Sequence, residues 1–395
     1  MHSSQLSFSI TGMGSITPAG SGINPLWENC LNSTSFIKAG LGHISDNDIQ
    51  ELWNQLLTSK WLVNKPAYFS RSLLFTLHSI TNAIDLAAWT SLNETDVIII
   101  GTTTGQISLW EKELIQLLKV ESPLPVDTDK LSRQPMQSLA ESIKSALNFP
   151  GKILILASAC SASTQAIITA HNYLATNRAQ RAIAGGVEEL SELTINGFNC
   201  LKLLSLEPCR PFDQSRVGIN LSEGAAFYTI EKHPTVTPLA YLYAGDTFLD
   251  SYHMTSPSVE GTGMQKALLS ALKKNNLSPD DISMVHAHGT GSIQNDQSES
   301  HALLNIFSHK PPTISTKGVH GHALGASGAI ELGICLKILN EGVIPPVTGL
   351  VNQDELIALN LPVETVKQDI RFIAKTTLGF GGVNSAFIIG KVAHA

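Results

Sequence analysis

Charged residues are scarce in this sequence, and basic residues are scarcer than acidic ones. Only 15% of its 395 residues are charged, and 26 Lys and Arg stand against 33 Asp and Glu, a formal net charge of -7. Non-specific binding to nucleic acid needs an excess of basic side chains, so we do not expect it here. No apolar run approaches the roughly 20 residues that span a bilayer, so we expect no membrane insertion.

The sequence also lacks the cysteine patterns of secreted and zinc-binding proteins. Its five cysteines are Cys30, Cys160, Cys200, Cys209 and Cys335. Their odd number, their long spacings and the absence of a CxxC pair favour reduced thiols and a cytoplasmic location. Residues 1–9 have neither a basic start nor a long apolar run, so we expect no signal peptide.

Hydrophobic residues make up 43% of the chain, enough for a large core. Short apolar runs that end in small residues alternate with helical patterns; 97–100 and 153–157 predict buried strands, and 163–176 predicts a helix. This alternation favours an α/β fold with a mostly parallel core. It begins again after about residue 235, so we divide the chain into two halves, 1–235 and 236–395, related by structural duplication.

Two segments are predicted to be irregular. Residues 107–135 contain Pro123, Pro125 and Pro135 among mixed charges, which indicates an excursion from the regular elements. Residues 376–382 are predicted to form a Gly-rich turn before a closing strand.

One cysteine stands where a predicted strand gives way to a predicted helix. Cys160 lies in the segment Ala-Ser-Ala-Cys-Ser-Ala-Ser, residues 157–163. Amide N–H groups at the start of a helix stabilise a thiolate, so we expect Cys160 to be a nucleophile with a lowered pKa. Free cysteines are also often buried, and a purely structural role is the alternative.

Two histidine pairs follow, each beside glycines. Residues 286–292 read His-Ala-His-Gly-Thr-Gly-Ser, and 317–326 read Lys-Gly-Val-His-Gly-His-Ala-Leu-Gly-Ala. A lone histidine is usually a satisfied core residue, but two such turns together with Cys160 predict a Cys/His active site. The alternative is a transition-metal site. Its ligands would come from His286, His288, His320, His322, Asp296 and Glu299.

The last pattern is Leu-Gly-Phe-Gly-Gly-Val-Asn at residues 378–384. Three glycines around one aromatic residue indicate a mobile flap, and a tight turn before the closing strand is the alternative.

In their order along the chain, these four segments resemble the β-ketoacyl synthases, the elongating ketosynthases of type II fatty acid and polyketide pathways. The family pattern is a cysteine in a small-residue turn, His-Gly-Thr-Gly-Thr, a lysine followed by Gly-His, and Gly-Phe-Gly-Gly-x-Asn. Similar stretches at 11–14, 209–213, 222–226 and 252–255 extend the resemblance over nearly the whole chain.

The resemblance implies a thiolase-like, five-layered αβαβα fold with duplicated halves. It implies a homodimer, or a heterodimer with a second ketosynthase-like subunit, and an acyl carrier protein that delivers acyl and malonyl groups. It implies decarboxylative condensation of an acyl-cysteine with malonyl carrier, without cofactor or metal.

The resemblance also assigns roles. Cys160 is the nucleophile, and His288 and His322 support malonyl decarboxylation more than acyl loading. Lys317 and Glu331 form a buried ion pair behind the histidines.

The remaining assignments concern the substrate. The backbone N–H groups of Cys160 and Phe380 form the oxyanion hole, and Gly379 to Gly382, including Gly381, form the gate. Thr290 and Ser292 meet the pantetheine arm.

The chain departs from the family pattern at a few positions, and the region before Cys160 is also short. Ser292 replaces a threonine, Gly318 replaces a serine, Leu378 replaces a frequent phenylalanine, and His286 and His320 replace residues that are usually non-basic. Two other functions stay open: a non-condensing partner subunit like the chain-length factors, and a related thiolase-like or ester-forming acyltransferase.

Overall fold

The computed structural model describes residues 6–118 and 127–392, in which strands and helices alternate. The strands are β1 (Phe8–Thr17), β2 (Gly20–Ser21), β3 (Leu41–Gly42), β4 (Asp96–Gly101), β5 (Lys152–Leu156), β6 (Arg181–Glu188), β7 (Leu221–Ser222), β8 (Gly224–Glu231), β9 (Ala240–Leu242), β10 (Asp246–Leu249), β11 (Met284–His286), β12 (Thr313–Ile314), β13 (Val343–Ile344), β14 (Val366–Lys367), β15 (Phe372–Gly379) and β16 (Val383–Gly390). The helices are α1 (Ile23–Leu31), α2 (Asp46–Thr58), α3 (Arg71–Leu86), α4 (Ile107–Leu118), α5 (Thr128–Leu131), α6 (Gln137–Ala146), α7 (Ala162–Ala175), α8 (Glu192–Cys200), α9 (Thr262–Lys274), α10 (Ile293–Ile306), α11 (Lys317–His320) and α12 (Ser327–Glu341). Short 3₁₀ helices lie at Pro279–Asp281, Leu324–Ala326 and Phe380–Gly382.

The main strands of the N-terminal half lie in the order β1-β8-β6-β4-β5. Strand β4 is parallel to β5 and β6, whereas β8 is antiparallel to both β6 and β1. Every residue of β4 is buried, and its run of isoleucines is typical of a strand covered on both faces.

The C-terminal half repeats this arrangement in the order β9-β16-β15-β11-β12. Strand β11 is parallel to β12 and β15, whereas β16 is antiparallel to β15 and β9. In both halves the last main strand inserts between the first and the fourth. The duplication predicted from the sequence is therefore present, but the sheet is mixed and not mostly parallel. Buried apolar runs show where strands occur and do not reveal their direction.

Helices cover the strands in layers. Helix α7 packs on β4 and β6, helix α12 packs on β8 and β15, and the two helices contact each other between the halves. Helix α3 packs on β1 and β8 from one outer side, and α9 packs on β16 and β10 from the other. The result is the five-layered αβαβα architecture that the family resemblance implies. Within the described ranges, no helix is both long and apolar enough to cross a membrane.

Two local predictions were wrong. The segment 107–135, predicted to be irregular, contains helices α4 and α5, because its apolar residues before Pro123 recur at helical spacing. Pro123 and Pro125 themselves lie outside the described residues. The predicted turn at 376–382 is shorter than expected, since β15 stays paired with β16 as far as Gly379.

Candidate active site

The cysteine lies at the junction between a strand of the N-terminal half and the helix that fills the middle layer. Cys160 follows β5 and is separated from the start of α7 by a single residue, Ser161, and only 4% of its surface is exposed. Ala159 before it has a φ of 48°, a left-handed conformation that is strained for a residue with a Cβ and that marks a sharp turn here. The turn directs the Cys160 side chain toward the C-terminal half.

The structure brings both predicted histidines to this thiol. His322 Nε2 lies 3.0 Å from Cys160 Sγ, and the His322 and His288 rings stand edge to face with centroids 5.1 Å apart. His322 Nδ1 lies 2.8 Å from the Ser327 hydroxyl. Because that hydroxyl can donate or accept, it satisfies either neutral tautomer of His322.

Lys317 and Glu331 lie behind His288. Both side chains are fully buried, and the Lys317 ammonium contacts Glu331 Oε1. The same ammonium donates to the His288 carbonyl and lies 3.3 Å from His288 Nδ1. An ammonium group can only donate, so Nδ1 accepts, and the remaining proton of the neutral ring is on Nε2. The geometry therefore makes His288 Nε2–H a hydrogen-bond donor.

Burial controls protonation throughout the site. Burial, followed by the charge of Lys317, holds the pKa values of His288 and His322 well below the ordinary value, so both rings are neutral near pH 7. Burial also raises the pKa of the Cys160 thiol to about 11, although Lys317 and the Phe380 N–H act against this effect. The expectation of a lowered Cys160 pKa was wrong, because desolvation of the thiolate outweighs the helix start.

A cavity of about 220 Å³ opens onto Cys160, His288 and His322. The predicted substrate-contacting residues Thr290 and Ser292 line it, and their hydroxyl groups lie 3.0 Å apart. Its lining also includes Leu378, Gly379 and Phe380 of the Gly-rich segment. All the residues assigned by the resemblance to catalysis or substrate contact therefore converge on one region.

The Gly-rich segment covers the nucleophile. The Phe380 N–H acts to lower the pKa of the Cys160 thiol, and the Phe380 ring stacks on Phe198 with centroids 5.4 Å apart. Gly381 has a φ of +81°, and a Cβ placed on it would meet nothing within 4 Å. The requirement for glycine at this position therefore comes from the backbone conformation and not from lack of space.

The other two histidines do not face the cavity. His286 Nε2 and His320 Nε2 lie 3.3 Å and 3.0 Å from the same Thr316 hydroxyl. Burial lowers the pKa of His286 to about 3 and that of His320 to about 4. The alternative considered from the sequence, a metal site of four histidines, is therefore not assembled among the described residues. In the described part of the chain, the one group with metal-ligand spacing is Cys160 with His288 and His322, whose ligand atoms lie within 4.8 Å of one another.

Sequence reasoning missed three contributors. Phe198 stacks on Phe380 of the predicted gate, and the buried Lys375 forms an ion pair with Glu331 at 2.9 Å. Glu299, weighed only as a metal ligand, accepts the His288 and Gly289 N–H groups at 2.7 and 2.8 Å. The signal for Lys375 was a lone charge inside the apolar run Phe-Ile-Ala-Lys-Thr-Thr-Leu.

Comparisons with known proteins agree with this arrangement. The family model for the β-ketoacyl synthase N-terminal domain matches residues 7–235, and that for the C-terminal domain matches residues 240–351. The curated 3-oxoacyl-[acyl-carrier-protein] synthase 2 of Coxiella burnetii is 28% identical, over 97% of this chain and 98% of its own length. Nodulation protein E of Rhizobium meliloti is 26% identical over the same shares, 97% and 98%.

Solved structures share the fold over the full length. The ishigamide ketosynthase/chain length factor superposes with a TM-score of 0.89 at 22% identity, covering 99% of this chain and 100% of that chain. The ketosynthase ApeO in complex with its chain length factor ApeC, from Xenorhabdus doucetiae, gives a TM-score of 0.81 at 24% identity and 99% coverage of both. With matching domain models along most of its length and the thiolase-like fold expected of them, the chain belongs to the β-ketoacyl synthase family.

Proposed function

We propose that this protein is a condensing acyltransferase that joins an acyl group on Cys160 to the two-carbon unit of malonyl carrier protein. The product is a β-ketoacyl carrier, and CO2 is released. The observation that carries the proposal is the contact of Cys160 Sγ with His322 Nε2 at 3.0 Å, beside a second neutral imidazole and beneath the Phe380 N–H.

The first half-reaction loads the cysteine. Cys160 attacks the thioester carbonyl of an acyl carrier, and its S–H proton passes to His322 Nε2 as the bond to the acyl carbon forms. The raised thiol pKa requires this base, because a thiol without it would stay protonated near pH 7. The Cys160 and Phe380 N–H groups stabilise the oxyanion. The carrier thiolate leaves and takes the proton back from His322.

The second half-reaction forms the carbon–carbon bond. Malonyl carrier enters, its C–COO bond breaks, CO2 leaves, and the electron pair remains as an enolate. His288 Nε2–H donates to the enolate oxygen, and His322 does so in its Nε2–H tautomer. The enolate carbon attacks the acyl carbonyl on Cys160, and the Cys160 thiolate is the leaving group.

The assembly and location belong to the same proposal. We infer that acyl carrier protein delivers both substrates past Thr290 and Ser292, and that the chain acts as a homodimer or with a second ketosynthase-like subunit. The division into halves at 235/236 fits the repeated strand order, and each half contributes one side of the cleft. The reduced cysteines favour the cytoplasm.

The second candidate function is that of a non-condensing partner subunit. It is favoured by two structural neighbours in which a ketosynthase is paired with a chain length factor. It is disfavoured by the close approach of the Cys160, His288 and His322 side chains, because a subunit that catalyses no reaction does not need this arrangement.

Intact-mass analysis tests the proposal. The purified protein is incubated with acyl carrier, and then with malonyl carrier, while CO2 and carrier masses are followed. We expect one acyl adduct per chain, absent from Cys160→Ala, followed by CO2 release and β-ketoacyl carrier. Acylation that persists in Cys160→Ala would contradict the assignment. A wild-type protein that never acylates, and that purifies only with another subunit, would favour the partner role.

A further inference from the structure

A second buried lysine lies behind the active site on the strand that leads to the gate. Lys375 of β15 is fully buried, as are Lys317 and Glu331. The Glu331 carboxylate bridges the two lysines: Oε1 contacts Lys317, and Oε2 lies 2.9 Å from Lys375 Nζ. The Lys375 ammonium also donates to the Thr376 carbonyl. Three buried charges thus share one site, and removing any of them leaves the others uncompensated.

Lys375 also lies near a second acid, Glu299, which accepts hydrogen bonds from the backbone around His288. Lys375 pairs with His286 in the β11–β15 register, and His286 lies two residues before His288. Glu299 accepts the His288 N–H at 2.7 Å and the Thr376 hydroxyl at 2.8 Å. Burial raises the pKa of Glu299, and the nearby N–H groups, the Thr376 hydroxyl and the charge of Lys375 act against that rise.

Lys375 is the second of two lysines on one carboxylate. Among the described residues, Glu331 is the acid within ion-pair distance of both Lys317 and Lys375, whereas Glu299 is held by N–H and hydroxyl donors. Burial opposes ionisation of Glu331, but its two lysines hold its pKa below the ordinary value. Without Lys375, the Glu331 carboxylate would lose one of its two cations and would bind a proton at a higher pH.

Both acids act on the same imidazole. Glu331 positions Lys317, whose ammonium faces His288 Nδ1, and Glu299 anchors the His288 backbone. Lys375 is not among the residues that line the cavity, so it has no direct access to substrate. Any effect of Lys375 on the reaction must pass through these partners.

We propose that Lys375 is a positioning residue for condensation, which holds the Glu331 carboxylate in place so that Lys317 directs His288 Nε2–H at the enolate oxygen. This inference rests on the proposed function. The loading step needs Cys160, His322 and the Phe380 N–H, and Lys375 contacts none of them. Lys375 should therefore affect condensation and spare acyl loading.

The pH dependence follows from the groups around His288 and the two acids. The titratable groups that face them from the packed elements are Lys317, Lys375, His286, His288, His320, His322, Glu299, Glu331 and Cys335. Removing the charge of Lys375 raises the pKa of Glu331. Protonated Glu331 no longer holds the Lys317 ammonium, so condensation is lost on the acid side.

The experiment compares Lys375→Met with Lys375→Arg, which keeps the charge. Acyl loading of Cys160 and condensation are measured separately from pH 5 to pH 9, per acylated site, with acyl and malonyl carrier. We expect Lys375→Met to load within about twofold of wild type. We expect its condensation to fall roughly 10- to 100-fold at pH 7, because small misplacements of catalytic groups have effects of this size. We expect the acid-side fall in its condensation rate to occur at a higher pH than in wild type. We expect Lys375→Arg to retain most of the wild-type pH profile.

Other outcomes overturn the inference. A wild-type pH profile and rate in Lys375→Met, or an equal loss of loading and condensation, would contradict a positioning role. If Lys375→Met does not fold, Lys375→Gln replaces it. Failure of both to fold, with Lys375→Arg active, would make Lys375 a residue of fold stability only. A wild-type protein that releases no CO2 from malonyl carrier would instead defeat the proposed function.

Discussion

The two halves of the molecule have the same strand order and contribute different chemistry. In the N-terminal half, β4 is followed by glycine and threonines, and β5 by the small-residue turn that carries Cys160. In the C-terminal half, the equivalent strands β11 and β12 are followed by His288, Lys317 and His322. The duplicated fold presents equivalent loops to one cleft, so one half can supply the nucleophile and the other the donors and charges.

The difference has an electrostatic consequence. The turn that carries Cys160 has no charged residue, and in the proposed mechanism Cys160 depends on the opposite half for a base and for the charge of Lys317. The C-terminal half can bury Lys317 and Lys375 because the Glu331 carboxylate forms an ion pair with each of them. The two halves therefore have similar backbones but different buried side chains, and their candidate catalytic residues lie in the loops that follow the strands.

The largest expected effect concerns the thiol and tests whether the N-terminal half can activate Cys160 by itself. Burial raises the pKa of Cys160 to about 11, so its alkylation by iodoacetamide should increase about tenfold per pH unit between pH 7 and pH 10. The measurement uses a Cys200→Ser background, because Cys200 is exposed. A rate that is already maximal near pH 7 would show that the helix start does dominate.

The next effect separates the two histidines. His288→Ala should reduce CO2 release from malonyl carrier about 100- to 1000-fold, the usual loss for one oxyanion donor, and should leave acyl loading within a few-fold of wild type. His322→Ala should slow both half-reactions, because His322 also contacts the thiol at 3.0 Å. Single-turnover assays of loading and decarboxylation give the comparison. Equal losses of loading in the two variants would remove the distinction between their roles.

A stability measurement tests the buried charges of the C-terminal half. Glu331→Gln should lower the free energy of unfolding by about 3 to 5 kcal/mol, since it leaves two buried lysines without their shared carboxylate. The matched control is the exposed Glu94→Gln, for which we expect a change near zero. The folded-state pKa of Glu331 is lowered, so its contribution is present above the unfolded-state pKa and is lost as pH falls through the folded one. Denaturant unfolding at pH 7 that gives equal values for both variants would refute a stabilising charge cluster.

The smallest effect concerns the gate between the halves. Gly381→Ala should slow condensation a few-fold more than loading, because a left-handed residue with a Cβ costs about 1 to 2 kcal/mol and restricts movement of the loop. Gly197 of α8 is the matched control, since a Cβ there also meets nothing within 4 Å but its φ is not left-handed. Single-turnover kinetics on Gly381→Ala and Gly197→Ala give the answer. Equal slowing of the two half-reactions in Gly381→Ala would make the segment structural.

The sequence by itself determined the family, the duplicated α/β fold and the convergence of Cys160, His288 and His322. These follow from local signals: small residues at a strand-to-helix turn, glycines beside histidines, and their order along the chain. Only the tertiary structure decided the mixed direction of the sheet, the contact of His322 rather than His288 with the thiol, and the raised pKa of Cys160. It also revealed Lys375 as the second partner of Glu331. The physical reason is that strand direction, desolvation and charge balance are sums over groups that lie far apart in sequence and meet only in the folded core.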